Sequence, residues 1–201
     1  MRIGYFGGSF DPVHLGHTSL AKEILAAARL DLVVYLPAGR PPHKRGRPLA
    51  PAADRIRMLD LAIGGDPRFA VDGRETLTPE PSYTFATMER LRRERPQDEL
   101  FFLIGMDSLR DLPSWHRIAD LAKIVTFLVA ARPGYDPEIA GVAARKVPGL
   151  AFQVIPTAPV DASSTAIRNG AAQGVDVSPL TGRAVADYIR VRGLYRDAAA
   201  M

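Results

Sequence analysis

The chain has no cysteine in its 201 residues. That excludes a disulfide framework and points to an enzyme of the cytoplasm. There are only four histidines, and a zinc site that cannot draw on cysteine usually needs at least three ligands of this kind, so structural or catalytic zinc is not expected. No apolar run is long enough to span a bilayer. The start of the chain lacks the basic-then-apolar layout of a secretion signal, because Gly7 interrupts it at once, and no membrane association is expected. Internal repeats, low-complexity linkers and breaks in composition are also missing, so residues 1–201 read as one domain. Basic residues form no long block. The net charge of +4 favours anionic partners, but the densest cluster, Arg40 to Arg47, reads as a local anion-binding loop. No RNA-binding signature accompanies it, and nucleic acid is not expected as a partner.

What the chain does have is an unusual turn. Gly7-Gly-Ser-Phe-Asp-Pro-Val-His-Leu-Gly-His17 lies between an apolar run ending at Phe6 and an amphipathic run, Thr18 to Leu30. Open parallel α/β sheets bind ligands at such strand-to-helix turns, where free backbone N–H groups and the helix dipole favour phosphate. Gly7 and Gly8 let the backbone turn and a ligand approach. His14 and His17 are three apart, with Gly16 removing bulk between them. Beside phosphate, two imidazoles can donate to oxygens whose charge grows during phosphoryl or nucleotidyl transfer. Without phosphate the same pair would be a helix cap and a surface residue. The turn is neither Gly-Lys-Ser/Thr nor G-x-G-x-x-G.

The pattern elsewhere predicts alternating strands and helices. Strands are expected at Arg2–Phe6, Leu32–Leu36, Phe69–Val71, Leu100–Ile104, Ile124–Ala130 and Phe152–Ile155. Helices are expected after the first turn, after Asp54 as a cap, from Ser82 as a cap through Tyr83–Arg93, at Ile118–Ala122 and Pro137–Ala144, and finally at Ser163–Ala171 and Thr181–Arg192. This alternation implies an α/β fold with a doubly wound, mostly parallel, Rossmann-like sheet.

Further clusters fall at the predicted strand ends. Pro41-Pro42-His43-Lys44 sits in a long loop, Pro37 to Pro51, where Lys44 can neutralise phosphate or simply be solvated. Pro81-Ser82-Tyr83-Thr84 marks a helix start whose amides can also hold a carboxylate or phosphate. Asp107, after Gly105, either meets ribose hydroxyls or a phosphate-bound magnesium, or caps the next helix. Trp115, the single tryptophan, is either core or a stacking surface for a planar ring. Ser163-Ser164-Thr165-Ala166-Ile167-Arg168 combines hydroxyls, free amides and a guanidinium in a way that suits triphosphate, and Ser164 is a candidate cap.

Gly-x-Phe-x-Pro-x-His-x-Gly-His resembles the signature of the nucleotidyltransferase superfamily. With Pro81–Thr84, Trp115, Ser163–Arg168 and the closing Gly193-Leu194-Tyr195-Arg196, the chain is similar over nearly its whole length to the bacterial nicotinate-nucleotide adenylyltransferases. That resemblance implies transfer of AMP from ATP to nicotinate mononucleotide, giving deamido-NAD and pyrophosphate in NAD synthesis, without a protein nucleophile. It assigns His14, His17 and Lys44 to catalysis. It places Gly7, Gly8, Ser9, Phe10, Gly105, Asp107, Ser163, Thr165 and Arg168 around ATP, and Tyr83, Thr84, Trp115, Asp11 and Arg132 around the mononucleotide. Mg2+ would arrive with ATP, held mainly by phosphates, and the resemblance leaves room for a homo-oligomer. His116 stands where the family often has an aromatic residue, and Ala162 where it often has Ile. Competing readings are a superfamily member with a phosphopantetheine or nicotinamide mononucleotide acceptor, a non-catalytic RNA-binding module, and an ATP sensor without turnover.

Overall fold

The structure, a computed structural model, describes residues 1–41, 48–136 and 138–196. Its centre is β1, Arg2–Gly8. β1 is followed by α1 (Leu15–Ala27), β2 (Leu32–Pro37), α2 (Ala52–Ile63) and β3 (Phe69–Val71). A 3-10 turn at Arg74–Leu77 leads into α3 (Thr84–Glu94) and β4 (Glu99–Gly105). Then come α4 (Met106–Asp111), a 3-10 turn at Leu112–Ser114, α5 (Ile118–Leu121), β5 (Thr126–Ala131), α6 (Glu138–Lys146) and β6 (Phe152–Pro156). The described chain ends with α7 (Ser164–Ala172), α8 (Ser178–Thr181) and α9 (Arg183–Arg192).

The six strands form one sheet in the order β3-β2-β1-β4-β5-β6, and every neighbouring pair is parallel. A parallel sheet must be covered on both faces, which is why its strands read as continuous apolar runs. Along β1 the side chains alternate between two cores. Phe6 packs with Ile24, Met58, Ile167 and Ile189, beneath α1, α2, α7 and α9. Ile3 and Tyr5 pack with Met88, Leu109, Leu121 and Ala143, beneath α3 to α6. No helix among the described residues is long and apolar enough to cross a membrane.

The predicted strands are all present, most extended by a residue or two, and several helix starts differ from expectation. α1 begins at Leu15, not Thr18, with His14 as its N-cap residue. Asp54 does not cap α2. It lies inside the first turn, 4% exposed, where it accepts from the Tyr188 hydroxyl at 2.7 Å and Arg192 Nε at 3.2 Å. Ser82 does not cap α3, whose N-cap is Tyr83 with no side-chain cap bond. Ser163 rather than Ser164 caps α7, accepting from the Ala166 amide at 3.2 Å. The last predicted helix, Thr181–Arg192, is present as α9 but starts at Arg183, and the short α8, which was not expected, precedes it across Gly182 at φ 82°.

Candidate active site

The strand order reverses direction between β1 and β4, the switch point at which such sheets bind ligands. The backbone opens there. β1 stays paired with β2 as far as Gly8↔Pro37, but its pairing with β4 ends at Tyr5↔Phe102. Phe6–Gly8 and Leu103–Gly105 therefore run on without each other, and a crevice opens at the carboxyl ends of the two strands. A Cβ added at Gly105 would meet nothing within 4 Å.

The turn carrying the two histidines borders this crevice. The His14 and His17 rings lie one over the other, with centroids 3.7 Å apart and planes 34° from parallel. The His14 amide donates to His17 Nδ1 at 3.3 Å. A neutral His17 with Nδ1 accepting carries its proton on Nε2, so that nitrogen is a donor. His14 Nδ1 is buried without a hydrogen-bond partner among the described residues. Burial lowers the His14 pKa to about 4, so the ring is neutral at pH 7. A buried polar atom left unpaired is unusual in a folded protein.

Phe10 holds the pair in place. It adopts a left-handed backbone at φ 46°, and its ring, 2% exposed, packs 5.1 Å from His17 and 5.5 Å from both Phe6 and Tyr35. Its ring packs under both His17 and Gly8 of the turn. The rest of the turn is braced from below. Arg55, 2% exposed, donates Nη1 to the Ser9 carbonyl at 2.8 Å and Nε to the Ala50 carbonyl at 3.0 Å. The buried Asp11 carboxylate accepts from the Ala50 amide at 3.1 Å and the Tyr195 hydroxyl at 2.9 Å. Asp11 was expected beside the mononucleotide. Its described carboxylate contacts are internal, and they tie the turn to Tyr195, three residues past the end of α9.

α7 docks its N-terminus onto the same turn. Ser164 Oγ donates to the Pro12 carbonyl at 2.9 Å, and Arg168 Nη1 donates to the Asp11 carbonyl at 2.7 Å. Arg168 Nη2 also donates to Thr165 Oγ1 at 3.0 Å. An added Cβ at Gly16 would lie 3.7 Å from the Ala162 carbonyl. Residues 150 apart in sequence thus form one surface: the His14–His17 turn beside the amide-rich start of α7.

The other candidates group around β4 and β5. Asp107 lies in the first turn of α4, its side chain 92% exposed and 3.2 Å from Arg110. Trp115 packs edge-on against Phe102, 6.0 Å between centroids, and Phe127, 6.5 Å. Phe102 is also the ring nearest Gly7, 2.9 Å from where a Cβ would stand, so one aromatic side chain joins the histidine-bearing turn to the tryptophan. Tyr83 stacks on His116 at 4.5 Å, which brings the start of α3, with Thr84, to the Trp115 segment. The residue that departs from the family pattern thus still supplies a flat ring. Arg132 follows β5 and is exposed. Lys44 lies outside the described residues. Arg55 was missed from sequence, and Tyr195 was noted only as part of the closing motif. Neither role is visible locally, because Arg55 reaches Ser9 and Tyr195 reaches Asp11 across the fold.

Comparison with known proteins agrees with this geometry. Residues 5–170 match the cytidylyltransferase-like family. Proteins named probable nicotinate-nucleotide adenylyltransferase are 41% identical in Thermomicrobium roseum, covering 100% of this chain and 94% of that one, and 44% identical in Thermus thermophilus, covering 98% and 100%. The fold is similar to that of a Plasmodium falciparum nicotinic acid mononucleotide adenylyltransferase solved with NaAD, with a TM-score of 0.80 at 19% identity and 97% of each chain covered. The split strand ends, the stacked histidines and these full-length relatives place the chain in the cytidylyltransferase-like family, among the nicotinate-nucleotide adenylyltransferases.

Proposed function

We propose that the protein transfers AMP from ATP to nicotinate mononucleotide, releasing pyrophosphate and forming deamido-NAD. The observation that carries this reading is the pairing of His14 and His17 at the split end of β1, against the N-terminus of α7, in a chain about as long as its adenylyltransferase relatives.

An oxygen of the mononucleotide's phosphate attacks the α-phosphorus of ATP. The bond from that phosphorus to the bridging oxygen breaks, and pyrophosphate leaves with the electron pair. No protein atom becomes covalently attached, so the enzyme contributes position and charge. His17 Nε2–H donates to a phosphate oxygen, where negative charge grows in the transition state. His14, kept neutral by burial and stacked on His17, offers a ring N–H to the same phosphates. The Ser163 to Thr165 amides at the α7 N-terminus and the backbone of Gly7 to Phe10 cradle the remaining oxygens. Lys44 adds a point charge. Gly105 and Asp107 lie where the nucleoside would rest, and Arg168 fixes α7 to the turn.

The mononucleotide binds on the β4–β5 side. Its pyridine ring lies against Trp115, and its carboxylate meets the Tyr83 and Thr84 amides at the α3 start. Arg132 lies at the rim. Amide donors facing an acid leave nothing unpaired, whereas the NH₂ of the nicotinamide analogue would face donors with a donor. Magnesium enters as the counter-ion of ATP. The carboxylates near the crevice are Asp11, already hydrogen-bonded, and the exposed Asp107, and no three His, Asp or Glu among the described residues gather as a cage. Such a donor set suits an ion carried mainly by phosphate. Chromatography of the purified protein with MgATP and each mononucleotide tests the reading. It expects deamido-NAD from the acid at a rate at least tenfold above that of NAD from the amide. No dinucleotide from either would refute it.

A further inference from the structure

Two tyrosines, one on α9 and one just after it, each donate to a buried aspartate. Only one of these aspartates belongs to the histidine-bearing turn. The Tyr188 hydroxyl donates to Asp54 Oδ1 at 2.7 Å, with Arg192 Nε donating to the same oxygen at 3.2 Å. Those bonds fasten α9 to α2. The Tyr195 hydroxyl donates to Asp11 Oδ1 at 2.9 Å, across 184 residues of sequence. Asp11 stands in the turn between Gly8 and His14, and the proposed mechanism gives neither its carboxylate nor Tyr195 a role.

The chain bends back to make this contact. Gly193, at φ 63°, ends α9 in the left-handed region, and the Leu194 amide returns to the Ile189 carbonyl at 3.0 Å. Tyr195 is itself left-handed, at φ 66°. A residue other than glycine rarely adopts that backbone, which persists where surrounding contacts fix it. Leu194 and Tyr195 both pack against the core that holds Phe6, Phe10 and Ile189. A packed reversal of the chain thus delivers the phenol to Asp11.

Residues 11 and 12 are gripped from several directions. The Asp11 carboxylate accepts from Tyr195 and from the Ala50 amide. The Asp11 carbonyl accepts from Arg168 Nη1 at 2.7 Å and the Pro12 carbonyl from Ser164 Oγ at 2.9 Å, both on α7. Two residues on, the His14 amide donates to His17 Nδ1 at 3.3 Å. That bond is already long, so a small displacement of the turn weakens it further. The seat of residues 11 and 12 therefore bears on how the His17 ring is held and where its Nε2–H points.

We propose that Tyr195 is a positioning residue for adenylyl transfer: by holding the Asp11 carboxylate it seats the turn so that the His14 amide keeps the His17 ring oriented toward phosphate. This rests on the adenylyl-transfer reading above. Tyr195→Phe keeps the ring and removes the hydroxyl. A hydrogen bond to a charged group, lost where it positions reacting groups, corresponds to about tenfold in rate. Tyr188→Phe removes the same kind of bond from α9, has no bond to the turn, and is the structural control.

The test measures pyrophosphate release with each substrate varied, together with 15N NMR of the neutral His17 ring, whose Nδ1 resonance differs when that nitrogen accepts a hydrogen bond. It uses Tyr195→Phe, Tyr188→Phe, Asp11→Asn and Tyr195→Phe combined with Asp11→Asn. Tyr195→Phe is expected to lower kcat about tenfold with both KM values within about twofold, whereas Tyr188→Phe keeps kcat within about twofold. The Nδ1 resonance is expected to move toward the non-accepting position in Tyr195→Phe and to stay in place in Tyr188→Phe. On the Asp11→Asn background, Tyr195→Phe is expected to cost less than about threefold, because its partner is already weakened. A kcat for Tyr195→Phe within about twofold of the wild type overturns the proposal. So does an equal loss in Tyr188→Phe, which is what a merely stabilising bond gives, or an unmoved Nδ1 resonance, or the full loss on the Asp11→Asn background. If the wild-type protein releases no pyrophosphate, the functional reading fails and Tyr195's part in transfer fails with it. The ring resonance then still decides, independently of activity, whether Tyr195 seats the turn.

Discussion

Replacing Arg55 with methionine should cost more stability than almost any other single change to a polar residue near the site. The methionine fills much of the stem's volume, so the loss isolates the guanidinium. That group is 2% exposed, bonds the Ser9 and Ala50 carbonyls, and is the cationic neighbour of buried Asp11. Two carbonyls lose their donors, at about 1–3 kcal/mol each when water cannot replace them. Asp11 keeps its Ala50 and Tyr195 bonds and loses one nearby positive charge. Within the range the two lost carbonyl bonds span, a cost of about 3–5 kcal/mol is expected. For a chain of this length each kcal/mol lowers Tm by about 2–4 °C, so a fall of roughly 6–20 °C is expected. Arg55→Lys, which keeps the charge but not both bonds, should fall between. Thermal unfolding followed by circular dichroism, with urea titration as a check, reads both variants. A Tm for Arg55→Met within 2 °C of the wild type, a margin of roughly 1 kcal/mol, would refute the view that this arginine braces the turn.

Two further outcomes follow from the site. Nicotinate mononucleotide should quench Trp115 fluorescence saturably, because the indole is partly exposed beside the Tyr83–His116 stack; an unchanged spectrum at saturation would remove Trp115 from the acceptor site. The His14 ring is neutral in the fold, with a pKa of about 4 against 6.5 when unfolded. The unfolded chain therefore binds the extra proton first as pH falls. The stability this group contributes is complete above pH 6.5 and is lost from there down towards pH 4, by on the order of 1–2 kcal/mol between pH 7 and 5. Urea unfolding should show that loss in the wild type and a shallower one in His14→Gln, whereas parallel slopes would contradict it.

The sequence made the order of elements readable because each buried parallel strand is an apolar run and each is bounded by glycine or proline. It also made the ligand-facing turn readable, since Gly7 to His17 combines flexible backbone with imidazoles at a strand end. Less was visible where a side chain is used across the fold. Asp54 looks like a helix cap by position, yet α2 is packed against α9, and burial turns the carboxylate toward Tyr188 and Arg192. Ser82 likewise precedes a helix, but the approach of the Gly39 segment gives its oxygen better partners. Ser163 and Ser164 are equivalent in the sequence. Docking of α7 on Pro12 separates them, one capping the helix and the other bonding the turn. Arg55 braces the turn through the Ser9 carbonyl, 46 residues away, and Tyr195, though part of the closing motif, shows its use only in its bond to Asp11.

The most direct measurement is pyrophosphate release by His17→Ala with saturating MgATP and nicotinate mononucleotide. If His17 donates to charge that develops only in the transition state, kcat falls at least ~10²-fold while both KM values and the Tm stay close to wild type. Turnover within a few-fold of the wild type would contradict the account of how this crevice makes the new anhydride.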